Sequence, residues 1–255
     1  MPYLDRDGVR IFYRASGSGP AVLLSHGYGA TSAMWEGQTE ALSDRYRVIS
    51  WDMRGHGQSD SPDDPSLYSE EATVGDIAAL LDEAGARKAV IGGLSLGGYM
   101  SLAFHLARPE RVHALMLFDT GPGYRNPDAR AEWNAMAERR AQEFRDLGTE
   151  ALKSAGREAR ESAHRSAEGL ALAALGMLRQ FDARVMESLP SISVPSLVLV
   201  GERDRPFLAA TDVMAAKILN ATKAVIPGAG HAANLDQPEA FNAAVRDFLA
   251  TLDPW

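Results

Sequence analysis

The sequence predicts an α/β protein built on a doubly wound, mostly parallel sheet. Six short apolar runs are typical of buried strands, and they span residues 22–24, 47–51, 89–91, 114–118, 196–200 and 223–226. Helical patterns separate several of these runs, with apolar residues spaced by three and four. Parallel neighbours need crossover connections, which are usually helices, so this alternation favours a parallel sheet covered on both faces.

The N-terminal segment departs from that rhythm. Residues 3–4 and 9–14 flank an Asp-Arg-Asp-Gly turn, which predicts an antiparallel hairpin at one edge of the sheet. A Gly-Ser-Gly-Pro break at 17–20 then precedes the first buried strand.

Two amphipathic helices are predicted from their apolar positions. The first carries its apolar face from Val74 to Ala84, with Thr73 as the expected N-cap. The second lies near the C-terminus, between Phe241 and Leu252.

Between residues 122 and 190 the strand pattern stops, and Ala, Glu and Arg dominate with helical periodicity. We therefore predict a core formed by 1–121 and 191–255, with 122–190 inserted as a helical cap over a site. An alternative is a helical excursion that only completes the core. The insertion contains an apolar stripe that is expected to pack against another part of the protein. The stripe comprises Leu170, Leu172, Leu175, Leu178 and Phe181.

Composition excludes several classes of function. The 255 residues carry a net charge of −8, so no basic stripe is available for nucleic acid or for an anionic membrane surface. The chain has no cysteine, which excludes disulfides, thiolate metal sites and a cysteine nucleophile. Residues 1–7 lack the pattern of a signal peptide and no apolar run is long enough for a membrane span, so we expect a cytoplasmic protein. The oligomeric state does not follow from the sequence.

The most informative motif is Gly-Leu-Ser-Leu-Gly at 93–97, which follows a predicted strand and opens a helical run through Ala107. This context predicts a nucleophile elbow, a strained turn that exposes the hydroxyl of Ser95. The helix that starts there offers a free backbone amide at Leu96, which can stabilise an oxyanion. A second donor is expected from the His-Gly-Tyr-Gly loop at 26–29, where we assign the amide of Tyr28.

A serine hydroxyl needs a base that takes its proton and a third group that orients the base. His231 is the favoured base because it lies in a Gly-rich loop directly after the last predicted strand. Asp204 is the favoured acid, since it follows the strand at 196–200. Asp119, which also ends a strand, and Glu202 are the alternatives.

Together these residues resemble the α/β-hydrolase superfamily over almost the whole chain, and the order Ser95, Asp204, His231 is the one its nucleophile-elbow proteins use. The segment Asp-Met-Arg-Gly-His-Gly-Gln-Ser at 52–59 is similar to the superfamily's Asp-x-Arg-Gly-His-Gly-x-Ser loop. The resemblance implies about eight strands and a helical cap between the sixth and seventh. Asp52 and His56 are expected to satisfy backbone groups within that loop rather than to take part in chemistry.

Large apolar residues near the elbow could line an acyl pocket, and the candidates are Trp35, Tyr99, Met100 and Trp133. No metal-binding or nucleotide-binding motif is present, so we predict no metal and no cofactor. A serine at position 95 also disfavours dehalogenases and epoxide hydrolases of the superfamily, which carry aspartate there.

The expected activity is hydrolysis of a small-molecule carboxylic ester or lactone through an acyl-enzyme. Enol-lactone hydrolases and C–C bond hydrolases of aromatic catabolism are alternatives, because the Gly-Leu-Ser-Leu-Gly-Gly motif resembles the former and the latter share the triad. A ligand-binding signalling receptor on the same fold is an alternative from another class, suggested by the resemblance of residues 26–35 to the corresponding loop of such receptors.

Overall fold

An eight-stranded sheet forms the centre of the protein. The computed structural model describes residues 3–254, so residues 1, 2 and 255 of the predicted core lie outside the described residues. All six predicted buried strands and both strands of the N-terminal hairpin are present. The strands are β1 (Tyr3–Arg6), β2 (Val9–Ser16), β3 (Ala21–Ser25), β4 (Arg47–Trp51), β5 (Ala89–Leu94), β6 (Val112–Phe118), β7 (Ser196–Gly201) and β8 (Ala221–Ile226).

The strand order is β1-β2-β4-β3-β5-β6-β7-β8. Only the pairs β1–β2 and β2–β4 are antiparallel, which confirms the predicted mostly parallel sheet with a hairpin at its edge. Because β3, β5 and β7 are buried along their whole length, their sequences are continuous apolar or small-residue runs rather than alternating patterns. The parallel strands all end at one edge, which therefore collects the loops that follow them.

Helices cover both faces of the sheet. The α-helices are α1 (Glu36–Leu42), α2 (Glu70–Glu83), α3 (Leu96–Ala107), α4 (Pro127–Leu147), α5 (Arg157–Arg160), α6 (Ala167–Ala173), α7 (Arg184–Ser188), α8 (Arg205–Lys217), α9 (Ala233–Asp236) and α10 (Pro238–Ala250). Short 3₁₀ turns lie at Ser32–Trp35, Pro65–Leu67, Pro109–Arg111, Gly148–Ser154 and Leu189–Ser191, and a π turn lies at Ala174–Leu178. Among residues 3–254, no helix has the combination of length and apolarity that crossing a membrane requires.

The N-terminus of α2 differs from the prediction. Ser69, not Thr73, is the N-cap, and its hydroxyl accepts a hydrogen bond from the amide of Ala72 at 3.0 Å. The first turn carries Glu70 and Glu71, whose charges are favoured beside the positive end of the helix dipole. This first turn has no large apolar residue, so the apolar periodicity starts one turn after the helix does.

The core has one apolar layer on each face of the sheet. Alternate residues of a strand point to opposite faces, so Leu23 and Ile91 join the layer that includes α2 and α3. Leu24 and Val90 join the other layer, which α10 covers. Burial on both faces holds the loops at the carboxyl edge in fixed positions.

The chain between β6 and β7 is helical and contains α4 to α7. Its own small core includes Phe144 and Leu170, and Tyr28 of the core packs against this cluster. Within the predicted apolar stripe, Leu172 and Leu178 are also buried, but Phe181 is 67% exposed. The helical turns end at Leu178, so Phe181 no longer shares their apolar face.

Candidate active site

Ser95 lies in the sharp turn between β5 and α3. Its φ of 55° and ψ of −115° are a strained conformation for a residue other than glycine. The amide of Ser95 donates a hydrogen bond to the carbonyl of Phe118 at 3.0 Å, which ties the turn to β6. A Cβ at Gly97 would collide with the carbonyl oxygen of Ser25, so the close approach of α3 to β3 requires glycine there.

The loop at 26–29 packs directly against this turn. A Cβ placed on Gly27 would lie 3.4 Å from the Cβ of Ser95. Leu96 is the first residue of α3, so its amide has no partner within the helix. Across residues 3–254, no hydrogen bond uses the amide of Tyr28 either. Two free backbone donors therefore lie on elements that contact Ser95.

Asp204 and His231 are brought together by the loops after β7 and β8. Asp204 Oδ2 lies 2.8 Å from His231 Nδ1, and the Asp204 side chain is 4% exposed. A Cβ at Gly201 would collide with the carbonyl oxygen of Gly230, so glycine is required for the two loops to approach this closely. Phe207 stacks on the imidazole of His231, with ring centroids 5.1 Å apart.

The electrostatic surroundings favour the charged form of His231. Burial on its own would lower the pKa of the imidazole. The hydrogen bond and negative charge of Asp204, together with the charge of Glu158, outweigh the effect of burial, so the pKa of His231 is raised above its ordinary value. No hydrogen bond joins Ser95 to His231 among residues 3–254, and such contacts often tighten only when substrate is bound.

Asp119, the alternative acid, lies next to Asp204 but is held differently. Its Oδ1 accepts a hydrogen bond from the amide of Gly201 at 2.7 Å, whereas Oδ2 is buried without a partner among the described residues. The backbone of Asp119 has a φ of 46°. Burial raises the pKa of its carboxyl to about 8, and the negative charge of Asp204 contributes to the rise. At neutral pH Asp119 is therefore a neutral acid, and Asp204 carries the charge beside His231.

Replacing Asp119 with asparagine is expected to stabilise the protein increasingly as the pH rises. An unfolded aspartate titrates near 3.8 and the folded Asp119 near 8, so between these values the folded state binds the additional proton. The free energy of unfolding of the wild type therefore falls with rising pH, and asparagine, which cannot ionise, avoids this loss. The melting temperature of Asp119→Asn relative to wild type should increase by roughly 5–15 °C between about pH 5 and pH 8.

The exposed carboxylate of Asp63 provides the control. The melting-temperature difference between Asp63→Asn and wild type should not change over the same pH range. A difference for Asp119→Asn that is equally independent of pH would show that Asp119 is ionised in the folded protein.

A cavity of about 250 Å³ opens beside Ser95. This volume lies just below the usual range for ligand pockets, which is about 300–1,000 Å³. Of the predicted pocket residues, Tyr99 and Trp133 line the cavity. Aromatic and aliphatic side chains form most of the remaining wall, so it suits a small apolar group.

The prediction that Trp35 and Met100 line this pocket is wrong. Trp35 has no exposed surface and packs against Phe118 and Phe241 in the opposite core layer. Met100 is fully buried between α3 and the sheet. Burial of a large apolar side chain in either core layer is favourable wherever the chain allows it, and sequence position near the elbow does not reveal which face of the sheet a residue joins.

Two contacts from the helical segment hold the loop at 26–29. The hydroxyl of Tyr28 donates to the carbonyl of Leu170 at 2.7 Å. His164 Nε2 donates to the carbonyl of Gly29 at 2.8 Å, while its Nδ1 accepts from the amide of Gly57 at 2.9 Å. Burial lowers the pKa of His164 to about 4, which keeps the neutral form that accepting at Nδ1 requires.

Asp52 and His56 serve the backbone, as expected from the sequence. The carboxylate of Asp52 accepts hydrogen bonds from the amides of Ser32 and Gln58 at 2.7 and 2.8 Å. His56 Nδ1 contacts the carbonyl of Arg54 at 3.0 Å. Within residues 3–254, no group of three or more histidine, aspartate or glutamate side chains is placed to hold a metal ion.

Sequence reasoning missed several residues that the structure places at the site. Phe207 and Gln180 line the cavity, and His164 contacts the loop at 26–29. His164 and Gln180 lie in a segment with no motif, and only tertiary contacts bring them to the carboxyl edge of the sheet. Phe207 could have been predicted from the sequence, because it lies three residues after Asp204, at the start of the helix that follows the candidate acid.

Comparison with known proteins gives consistent matches. A family model described as the alpha/beta hydrolase family matches residues 22–244. The 3-oxoadipate enol-lactonase 2 of Acinetobacter baylyi is 31% identical, over 89% of this chain and 87% of its own length.

Two solved structures are similar over nearly the whole chain. An enol-lactonase of Burkholderia xenovorans has a TM-score of 0.82 and 29% identity, covering 98% of this chain and all of its own. A thermophilic esterase of Thermogutta terrifontis has a TM-score of 0.80 and 32% identity, covering 98% and 96% of the two chains.

Proposed function

This chain belongs to the alpha/beta hydrolase family, and from that premise we propose that it is a serine hydrolase that cleaves a small carboxylic ester or lactone. The observation that carries the proposal is the placement of Ser95, strained at the elbow, on the wall of a small apolar cavity, with the hydrogen-bonded Asp204–His231 pair at the same edge of the sheet. The similarity to an esterase and to enol-lactonases supports this reaction class.

In the proposed acylation step, Ser95 Oγ attacks the carbonyl carbon of the substrate while His231 Nε2 takes the hydroxyl proton. The carbonyl oxygen becomes an oxyanion, which the amides of Tyr28 and Leu96 stabilise. When the bond from the carbonyl carbon to the alcohol oxygen breaks, His231 returns the proton to that oxygen. An acyl-Ser95 ester and a free alcohol, or the ring-opened hydroxyl of a lactone, result.

Deacylation repeats these steps with water as the nucleophile. His231 accepts a proton from water, the resulting oxyanion uses the same two amides, and the proton then returns to Ser95 Oγ as the acid leaves. Asp204 holds His231 Nδ1–H, fixes the tautomer and stabilises the imidazolium. Residues 122–190 act as a cap in this proposal, because Trp133 and Leu178 of that segment complete the cavity wall above Ser95.

The test is hydrolysis of a panel of aryl esters of increasing acyl length, simple lactones, an enol-lactone and a vinylogous diketone. Turnover should peak on one ester or lactone, and an alkyl phosphonate probe should label the peptide that contains Ser95, as mass spectrometry would show. Labelling should fail in His231→Ala, since the hydroxyl is then not activated. Turnover of the diketone alone would indicate a C–C hydrolase, and tight binding without turnover of any member would indicate a receptor.

The rate is expected to fall on the acidic side with an apparent pKa above 6.5. Protonated His231 cannot accept the serine proton, and Asp204 raises the pKa of His231 above its ordinary value. The activity is therefore lost at a higher pH than an isolated histidine would give. The measurement is the pH profile of kcat/KM with an ester that does not ionise in this range. A midpoint well below 6 would assign the base to a group without this carboxylate partner.

A further inference from the structure

The cavity beside Ser95 has an uncharged wall. None of the described residues that line it is an arginine, lysine, histidine, aspartate or glutamate. A carboxylate that entered such a cavity would lose its water without gaining a cation in return, which is strongly unfavourable. Oxoadipate, after which the 31% identical relative is named, is a dicarboxylate. The wall described here lacks the charge that would balance such a group.

Three polar side chains of the wall already donate their hydrogen bonds to other groups of the protein. The hydroxyl of Tyr99 donates to Glu70 at 2.9 Å, and the hydroxyl of Thr120 donates to the carbonyl of Ser95 at 2.6 Å. Trp133 Nε1 donates to the carbonyl of Leu178 at 2.7 Å. These three groups therefore offer no donor to a ligand.

Gln180 differs from these three residues, because its donor is free although its side chain is buried. Its side-chain oxygen accepts from the amide of Tyr124 at 3.2 Å, which fixes the orientation of the carboxamide and leaves Nε2 as the free end. Its own backbone amide and carbonyl are both bonded to the side chain of Asn134, each at 2.8 Å. Gln180 is only 7% exposed, and no partner for Nε2 exists among residues 3–254.

An amide donor without a protein partner, carried by a buried side chain on the wall of an apolar cavity, suits one kind of ligand. An uncharged acceptor oxygen would satisfy the donor without the cost of burying a charge, and a hydrocarbon would leave the donor unpaired. We propose that Gln180 Nε2 binds a neutral acceptor oxygen, such as a ketone or ether oxygen, in the acyl group of the substrate. The site then prefers oxo- or alkoxy-acyl esters or lactones to hydrocarbon and to carboxylate-bearing ones. This inference rests on the proposed function.

The test uses three p-nitrophenyl esters of almost equal shape: 5-oxohexanoate, 5-methylhexanoate and the glutarate monoester. They end in an acetyl group, an isopropyl group and a carboxylate. Because the distance from Ser95 to the bound oxygen sets the best chain length, each set is repeated with one methylene fewer and one more. The value of kcat/KM is corrected for spontaneous hydrolysis.

The wild type should prefer the oxo ester to the hydrocarbon ester by about threefold to tenfold, as one neutral hydrogen bond gives, and to the carboxylate ester by about 100-fold or more. Gln180→Met removes the donor and the acceptor at similar size, and Gln180→Leu removes both with a branched apolar side chain. Both variants should lose the preference for the oxo ester through KM, and their rates on 5-methylhexanoate, measured alongside, report whether the cavity is intact.

Equal rates on the oxo and hydrocarbon esters at every chain length would overturn the role of Gln180 and leave the proposed hydrolase activity standing. A preference that persists in both variants would overturn it as well. Absence of Ser95-dependent turnover of all three esters would instead overturn the proposed function. If either variant loses activity on the hydrocarbon ester, a competition assay in wild type with the free methyl ketone, isopropyl and carboxylate analogues decides, since only the ketone should inhibit well.

Discussion

Alanine at position 95 is expected to lower kcat by about 10⁶-fold, the loss that follows removal of the nucleophile in a well-studied serine protease. Residues 93–97 contain no other hydroxyl that could replace the nucleophile. In the variant, water would have to attack the substrate directly, without formation of an acyl-enzyme. The two backbone amides remain, so a residual rate of about 10³–10⁴ over water is expected from the oxyanion donors and binding. The measurement is kcat on the best ester of the panel, with substrate binding followed separately by competition.

The matched control is Ser66→Ala, which removes an exposed hydroxyl in the 3₁₀ turn before α2 and should leave kcat unchanged. Thermal melting of both variants would show that each is folded. A Ser95→Ala protein that keeps more than about one per cent of the wild-type rate would be incompatible with a covalent mechanism at this residue.

Asparagine at position 204 is expected to lower kcat by about 10⁴-fold, the effect of the equivalent change in a serine protease triad. The amide that replaces the carboxylate can donate a hydrogen bond to His231 Nδ1, which would leave the proton on Nε2 and prevent that atom from accepting the serine proton. The loss of negative charge also lowers the pKa of His231. The readout is kcat on the same ester, at a pH above the acidic limb.

The neighbouring carboxyl of Asp119 supplies the matched comparison. Because the pKa of Asp119 is raised to about 8, its side chain is protonated at neutral pH, and asparagine is close to that form in shape and charge. Asp119→Asn should therefore change kcat by less than about tenfold. A large loss in Asp119→Asn with a small one in Asp204→Asn would assign the acid to the end of β6.

The strands of the sheet and the turn that carries Ser95 can be predicted from the sequence because each is encoded by a short, contiguous pattern of residues. Short, continuous apolar runs such as 196–200, separated by helical patterns, favour strands buried on both faces, and a Gly-x-Ser-x-Gly segment between a strand and a helix favours a nucleophile elbow. The sequence favours Asp204 through its place after the strand at 196–200 and through the superfamily resemblance, but it does not show how Asp119 and Asp204 differ chemically, since both follow parallel strands. Their difference is one of burial and neighbouring charge, which only the fold determines.

The residues that tertiary contacts alone position were not predictable. Trp35 belongs to the core layer on the opposite face of the sheet, and Gln180 reaches the cavity from a segment without a motif. The prediction of Thr73 as the N-cap of α2 is wrong for a local reason. Ser69, the observed N-cap, precedes an acidic turn, and the pattern of apolar residues begins only after that turn.

The contacts of Tyr28 with Leu170 and of His164 with Gly29 have a consequence for protein engineering. The loop at 26–29, which carries one proposed oxyanion donor, is held by hydrogen bonds to residues 122–190, and that segment also lines the cavity. The position of the donor and the shape of the cavity therefore cannot be changed independently. A chimaera that replaced 122–190 with the corresponding helices of a relative would alter substrate choice and would also remove the hydrogen bonds that hold the loop at 26–29. Retaining His164 and the backbone at Leu170 in such grafts would separate a change of specificity from a loss of catalytic power.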